Sequence, residues 1–345
     1  MAVTIKDVAK EAGVSHTTVS RALRDHPAIS IKTTNRIRKI ADELGYVPNT
    51  VARGLKTSRS GVLGVIVRRI VDPYFIEVLH GIEDVLQAEG YSLFLAASNK
   101  DLEREKKIIR TMSEHRVDGV IICSTQVSQG HQRQLNKLGV PSVLINNQAL
   151  DDVPAPSVFH DDANGSRLST MHLIELGHSK ICYLGNDRAG KTNEDRLCGY
   201  KKALQDNDLP IRPAYIIKGE NGLAEGGAMA AKQVLLLPDR PTAIICYNDM
   251  MAIGVIRTLT QAGLRIPEDC SIVGFDNIEL SAFTQPPLTT FDQPKYEIGR
   301  VAAQMMLIVL EANAVKAPCA EVKVLRGELK IRSSTAPPVS KPIIR

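Results

Sequence analysis

Four polar side chains, His16, Thr17, Ser20 and Arg21, crowd into the segment SHTTVSRAL. Positions 16 and 20, and 17 and 21, are one helical turn apart, so a helix here presents them on an outer face while Val19, Ala22 and Leu23 turn inward. These side chains suit recognition of base edges. Arginine pairs bidentately with guanine, and threonine hydrogen-bonds or touches a thymine methyl. A second group of polar residues directly follows apolar runs: Arg68 and Arg69 after VLGVIV, Asn146 after PSVLI, Asn248 and Asp249 after AIICY, and Asp276 after SIVGF. In open α/β sheets, ligands bind beyond the carboxyl ends of the strands. Tyr74 and Phe75, in DPYF, add aromatic surface near the first of these strand ends. An Arg/Asn/Asp set suits a polyhydroxyl ligand, because neighbouring hydroxyls both donate and accept.

The first group needs a small helical scaffold, and residues 1–46 supply one. Thr4 can cap a helix running to about Glu11, with Asp7 reaching back. Gly13 permits a left-handed turn residue, and Ser15 caps the second helix. A third helix is predicted from Ile31 to Leu44, capped by Ser30 and stopped by Gly45, with Ile37, Ile40, Ala41 and Leu44 inward. Helix, four-residue turn, helix is the helix-turn-helix, whose second helix lies in the major groove. Thr4 and Ser15, at the helix starts, join His16, Thr17, Ser20 and Arg21 as candidate DNA contacts.

Residues 47–60, VPNTVARGLKTSRS, form a polar connector. Pro48 suits the first position of a helix. Asn49 to Lys56 allows barely two turns, too short to be stable alone. Leu55 is its apolar residue, and apolar side chains wedged between base steps in the minor groove kink DNA. We expect two copies of this hinge helix to pair on DNA, with Leu55 as wedge and Asn49, Ala52 and Lys56 as further contacts.

Charge is distributed to match. Residues 1–60 hold 11 Lys+Arg against 5 Asp+Glu, and the rest of the 345-residue chain holds 32 against 33. The basic excess therefore lies in the head, which suggests a polyanion partner for that module only.

From Val62 onward the pattern becomes apolar runs alternating with amphipathic helices. The runs start at Val62, Tyr91, Gly119, Pro141, Lys180, Ala214, Ala243 and Ser271. Such runs indicate parallel sheets covered on both faces. Four precede Asp161 and four follow it, which predicts two similar α/β lobes. The expected fold is α plus α/β: a helix-turn-helix domain (1–46), a polar connector and linker (47–60), and a two-lobed body (61–335), with a tail at 336–345.

Other function classes find less support. The six cysteines, Cys123, Cys182, Cys198, Cys246, Cys270 and Cys319, form no CxxC pair and no metal-ligand spacing. That usage suits a reducing compartment. There is no apolar signal core, and no apolar run reaches the ~18–20 residues of a membrane span. The expectation is a cytoplasmic protein, nucleoid-associated when bound to DNA, without a cofactor. An exported solute-binding protein would need a signal and no basic head. For an enzyme, no GxGxxG, GxxxxGK[ST] or GxSxG occurs. The glycines of GENGLAEGG read as a loop entering a helix, and His172 and His178 as surface or capping residues at a helix end.

The segments TIKDVAKEAGVSHTTVSRAL and ADELGYVPNTVARGL closely resemble the LacI/GalR family of bacterial repressors. The resemblance continues through DPYFIEVLHGIEDVLQAEGY, RVDGVII, HLIELGHSKICYLG, DRLCGYKKAL, CYNDMMAIG, SIVGFDN and PPLTTFDQP. It implies a homodimer on a pseudopalindromic operator and a body like the periplasmic sugar-binding proteins, with an effector cleft between two lobes. It also implies three crossings between lobes, near Asp161, Thr290 and Ala320. The first lobe would then hold about 61–161 and 291–320, and the second about 162–290 and 321–335. By this resemblance Arg196, Asn248 and Asp276 occupy effector-binding positions, and Asn146 and Gln293 weaker ones. Two departures bear on the effector. Arg68-Arg69 stands where the family often has Pro-Asp, and Gly219-Glu220-Asn221 where it often has a stacking ring. Two arginines favour an anion such as a sugar phosphate or sugar acid. The lost ring argues against a purine or a plain neutral sugar. Arg68, Arg69, Tyr74, Phe75 and Asn221 complete the candidate effector contacts.

Overall fold

A computed structural model describes residues 3–47, 59–99, 101–123, 135, 137–146, 155–312 and 321–339. The chain divides into two compact units, Met1–Ser60 and Gly61–Arg345.

The first unit contains α1 (Ile5–Glu11), α2 (His16–Ala22) and α3 (Ile31–Glu43). Each helix begins at the expected cap. Thr4 and Asp7 form a capping box, with the Thr4 amide and hydroxyl donating to Asp7 Oδ2 at 2.8 and 2.7 Å. Ser15 and Ser30 accept from the amides of Thr18 and Thr33. Val8, Ala9, Ala12, Val19, Ala22, Ile37 and Ala41 form the core. Leu44 was expected inward but is 36% exposed, because it falls at the helix end just before Gly45 (φ 65°) turns the chain. Thr34, one turn before the stripe, is buried instead.

The second unit is two lobes, each on a six-stranded sheet. The first sheet uses β1 (Val62–Val67), β2 (Ser92–Ala97), β3 (Gly119–Cys123), β4 (Ser142–Ile145), β5 (Ser157–His160) and β11 (Val322–Leu325), in the order β11-β5-β4-β3-β1-β2. All of its pairings are parallel. On one face, α4 (Pro73–Ala88) and α10 (Lys295–Ala312) pack through Phe75, Val78, Ile82, Ile298, Ala302 and Met306. The other face is covered by Ile109 and Met112 of α5 (Leu102–Glu114).

The second sheet uses β6 (Ile181–Asn186), β7 (Ile216–Gly219), β8 (Ala243–Cys246), β9 (Ser271–Asp276), β10 (Thr289–Asp292) and β12 (Glu328–Lys330), in the order β12-β10-β9-β8-β6-β7. Only the edge strand β12 is antiparallel, to β10. Helices α6 (Asp162–Glu175) and α7 (Lys191–Asp206) cover one face through Leu173, Tyr200 and Leu204. Helices α8 (Ala224–Leu235) and α9 (Asp249–Gln261) cover the other through Ala230, Val234, Met251 and Val255. Among the described residues no helix is long and apolar enough to cross a membrane.

The first crossing falls after His160, where β5 ends in the first sheet. The second comes a few residues later than expected, because β10 runs to Asp292 in the second sheet before α10 enters the first lobe. The third differs more. β11 pairs with β5, so the first lobe extends to Leu325 and the return lies between Leu325 and Glu328, not near Ala320. Only Leu325 of β11 packs against the first core, while Val322 and Val324 are half-exposed, so the hydrophobic pattern of VKVL did not mark the pairing that the expected boundary at residue 321 missed. The start of the tail is docked. Ser334 Oγ donates to Ile272 O at 2.6 Å, and Ala336 O accepts from His178 Nε2 at 2.9 Å. His178 and His172 are consequently buried, not on the surface.

Candidate nucleic-acid face and effector cleft

On the first unit, His16, Thr17 and Arg21 are exposed along α2, as the helical spacing required. Ser20 is half-buried and engaged: Arg24 Nε donates to its carbonyl at 2.9 Å and Nη2 to its hydroxyl at 3.0 Å. Thr4 and Ser15 are exposed caps with engaged side chains: the Thr4 hydroxyl donates to Asp7 Oδ2, and Ser15 Oγ accepts from the Thr18 amide. Asn49, Ala52, Leu55 and Lys56 lie outside the described residues.

In the second unit the carboxyl ends of both sheets face one cleft. Arg68 follows β1, Cys123 ends β3 and Asn146 follows β4; opposite them, Tyr247 and Asn248 follow β8, Asp276 ends β9 and Gln293 follows β10. Asp72 caps α4 by accepting from the Tyr74 amide at 3.3 Å, and this helix start brings Tyr74 and Phe75 to the wall, edge to face at 5.1 Å. Thr192 and Arg196 come from α7. The cavity between the walls is only about 40 Å³, room for a few water molecules.

Arg196 anchors the second wall. Its Nε donates to Asp162 Oδ1 at 2.6 Å, Nη1 donates to Tyr247 O, and Nη2 lies 3.7 Å from Asp276 Oδ1. The guanidinium carbon stacks 3.7 Å over the Phe275 ring and 4.6 Å over Tyr247. Burial opposes its charge, but Asp162, Tyr247 and Asp276 outweigh that and raise its pKa. Asp276 accepts from Gln293 Nε2 at 2.5 Å, and burial pushes its carboxyl well above the usual carboxylate range. It also holds φ 114°, a conformation side chains rarely adopt and one that clusters at functional sites.

On the first wall, Asn146 Nδ2 donates to Tyr74 Oη at 2.6 Å. Among the described residues, two buried amide oxygens on the lining, Asn146 Oδ1 and Gln293 Oε1, have no hydrogen-bond partner. Arg68 is not a free cation. It pairs with Asp72 at 2.9 Å, and Tyr247 and Asp72 together outweigh the burial that opposes its charge.

Of the ten effector candidates, eight line the cleft; Arg69 and Asn221 do not. Asn221 instead accepts from the Leu223 amide at 3.0 Å, forming the turn into α8. Asn248 is on the wall but already occupied, capping α9 through Met251 N and donating to Gly222 O at 3.0 Å. Sequence reasoning missed Asp72, Cys123, Thr192 and Tyr247 on the lining, and Asp162 behind it. Asp72 and Tyr247 carried a signal, since they adjoin the chosen Tyr74 and Asn248. Thr192 and Asp162 are brought in by packing between α6 and α7 and carried none.

Comparison with known proteins agrees with both units. Residues 4–49 match the family described as bacterial regulatory proteins, lacI family, and residues 60–324 match periplasmic binding proteins and sugar binding domain of LacI family. The HTH-type transcriptional repressor PurR of Aliivibrio salmonicida (strain LFI1238) is 37% identical over 306 residues, covering 88% of this chain and 91% of that one. A crystal structure of the lac repressor dimer bound to operator and the anti-inducer ONPF is 30% identical with TM-score 0.86, covering 97% of this chain and 100% of that one. A LacI family transcriptional regulator from Enterococcus faecium with bound ribose is 29% identical with TM-score 0.71, covering 80% of this chain and 99% of that one.

Proposed function

We propose that this chain, which belongs to the lacI family of bacterial regulatory proteins and is a DNA-binding repressor with an effector-binding body, acts as a homodimer on a pseudopalindromic operator and takes a neutral, hydroxyl-rich small molecule in the interlobe cleft. The observation that carries the effector class is the pair of acceptors without a partner among the described residues, Asn146 Oδ1 and Gln293 Oε1, beside Asp276. A buried acceptor left unpaired costs about 1–3 kcal/mol, so a ligand bringing O–H donors gains there. The arginines do not favour an anion as their sequence pairing suggested, because Arg68 and Arg196 each face a carboxylate and Arg69 is off the lining. The ribose bound by the Enterococcus faecium regulator is a ligand of the proposed kind.

The narrow cavity links binding to shape. A sugar enters only if the lobes separate, so it favours one lobe angle over another. In the proposed mechanism that angle sets the spacing of the two hinge segments, whose Leu55 side chains wedge the operator while His16, Thr17 and Arg21 read the half-sites. One observation favours a second reading of the ligand. The rings of Tyr74, Phe75 and Tyr247 meet at the cleft, and a flat N–H-bearing heterocycle would use both rings and acceptors.

Calorimetric titration of the full chain with ribose, ribose 5-phosphate and guanine separates these readings. Ribose alone binding supports a neutral sugar, and guanine alone the heterocycle. Binding of the phosphate without ribose sinks the neutral class.

A further inference from the structure

Asp276 and Asn277 are consecutive left-handed residues, at φ 114° and 50°. Such a pair persists only where its surroundings over-determine it. Lys295, the first residue of α10, supplies that constraint. Its side chain is 1% exposed, and its ammonium donates to Asp276 O at 2.6 Å and Asn277 O at 3.2 Å, with Gln293 O at 3.4 Å. Two carboxylates complete the shell, Asp292 at 3.2 Å and Glu77 at 3.4 Å. The carbonyls and Asp292 belong to strand ends of the second lobe, whereas Glu77 is on α4 of the first.

We infer that Lys295 is a positioning residue for the cleft: from the crossing between lobes, its ammonium fixes the two peptides that turn the Asp276 carboxyl toward the ligand, and ties that strand end to Glu77. The inference rests on the proposed reading of the cleft as the effector site. A buried ammonium is strongly disfavoured unless its protons are all used, and here the groups that use them are the backbone oxygens of the strained turn. An apolar side chain of the same length would fill the space and donate nothing. Lys295 and Glu77 stand on helices packed together in the first lobe, so it is the carbonyl contacts, which belong to the second lobe, that change when the lobes separate. Lys295 thus joins the orientation of Asp276 to the lobe angle.

The test uses full-length wild type, Lys295→Met and Glu77→Gln, with two readouts. The first is hydrogen–deuterium exchange of peptides spanning residues 271–283 without ligand. The second is titration with D-ribose well below each protein's thermal transition. Lys295→Met is expected to speed exchange at Asn277 and Ile278 and to weaken ribose about tenfold. Glu77→Gln is expected to leave exchange unchanged and to weaken ribose about threefold, the smaller effect of a half-exposed pair. A purely structural lysine would lower the melting temperature and leave the ribose affinity of the folded protein unmoved, which overturns the proposal. Unchanged exchange in Lys295→Met overturns it too. If ribose fails to bind wild type, the sugar reading of the cleft falls, and exchange alone decides the role of Lys295. Should Lys295→Met not fold, Glu77→Gln decides, and wild-type ribose affinity in it overturns the interlobe tie.

Discussion

Arg196 Nε donates to Asp162 Oδ1 at 2.6 Å, with the two side chains only 5% and 12% exposed. Burial opposes ionisation of Asp162, yet His160 and Arg196 outweigh it and hold its carboxyl below the usual range. Removing one member of a buried pair leaves the other charge uncompensated. Asp162→Ala should therefore destabilise the body by about 3 kcal/mol, read as a lower denaturant midpoint. It should also loosen Arg196 and weaken whatever the cleft binds. A wild-type midpoint would mean that Asp276 and the stacked rings suffice to hold Arg196.

Asp249 is fully buried at the start of α9, accepting from Thr290 Oγ1 at 2.5 Å and Ile278 N at 2.9 Å. Burial pushes its carboxyl up to about 7, against about 3.9 in an unfolded chain. The folded state then binds this proton more tightly than the unfolded one. Its contribution to stability is fully present below the unfolded value and is lost as pH rises through about 7. Asp249→Asn should abolish that loss, flattening the melting temperature between about pH 4 and 7, the window of the shift, relative to wild type. Parallel pH profiles for the two proteins would show that the shift is absent.

How much of this was legible depends on whether a residue's role is local. The helix caps Thr4, Ser15 and Ser30 and the eight long apolar runs were readable because capping and periodicity act over a few neighbours. The strands β5, β10, β11 and β12 were not, since their place in a sheet is decided by where the chain crosses between lobes, and length alone does not tell, four-residue β4, β7 and β8 having been readable. The strand-end rule found Arg68, Asn146, Asn248 and Asp276. It could not show that Asp72 would pair with Arg68, which removes the free cation on which the anionic reading rested. Lys295 and Asp249 were overlooked as buried groups because a charged residue at a helix start ordinarily faces water, and only the tertiary structure encloses them.

Glycines at helix crossings were equally invisible to motif reading. A Cβ on Gly299 of α10 would sit 2.0 Å from Val78 O of α4, and one on Gly81 of α4 would sit 2.1 Å from Tyr296 O. Both obstacles are backbone, so neither can swing aside. Gly299→Ala must force α4 and α10 apart, and a loss of about 1–3 kcal/mol is expected from overpacking. Gly263→Ala is a useful contrast, because its added carbon meets nothing within 4 Å and its φ of 87° alone is at fault. Chemical denaturation of the two variants should show Gly299→Ala as the more damaging. The opposite order would mean that the helix pair can reseat.

Arg21 and Ser20 are adjacent on α2 but differ in what they can offer DNA. Arg21 is exposed on the outer face, while Ser20 is held through its carbonyl and hydroxyl by Arg24. Selection of bound duplexes from a random pool, at one fixed salt concentration, should therefore separate the two. Arg21→Ala is expected to relax preference at one position in each half-site, by about 1–3 kcal/mol for the lost base contact. Ser20→Ala should leave the recovered motif unchanged, because its hydroxyl serves the protein's own arginine. If Arg21→Ala instead weakened binding equally at every sequence, Arg21 would be a phosphate contact, and the reading of bases would pass to His16 and Thr17. If both variants returned the wild-type motif with wild-type affinity, the outer face of α2 would not be the surface that reads DNA.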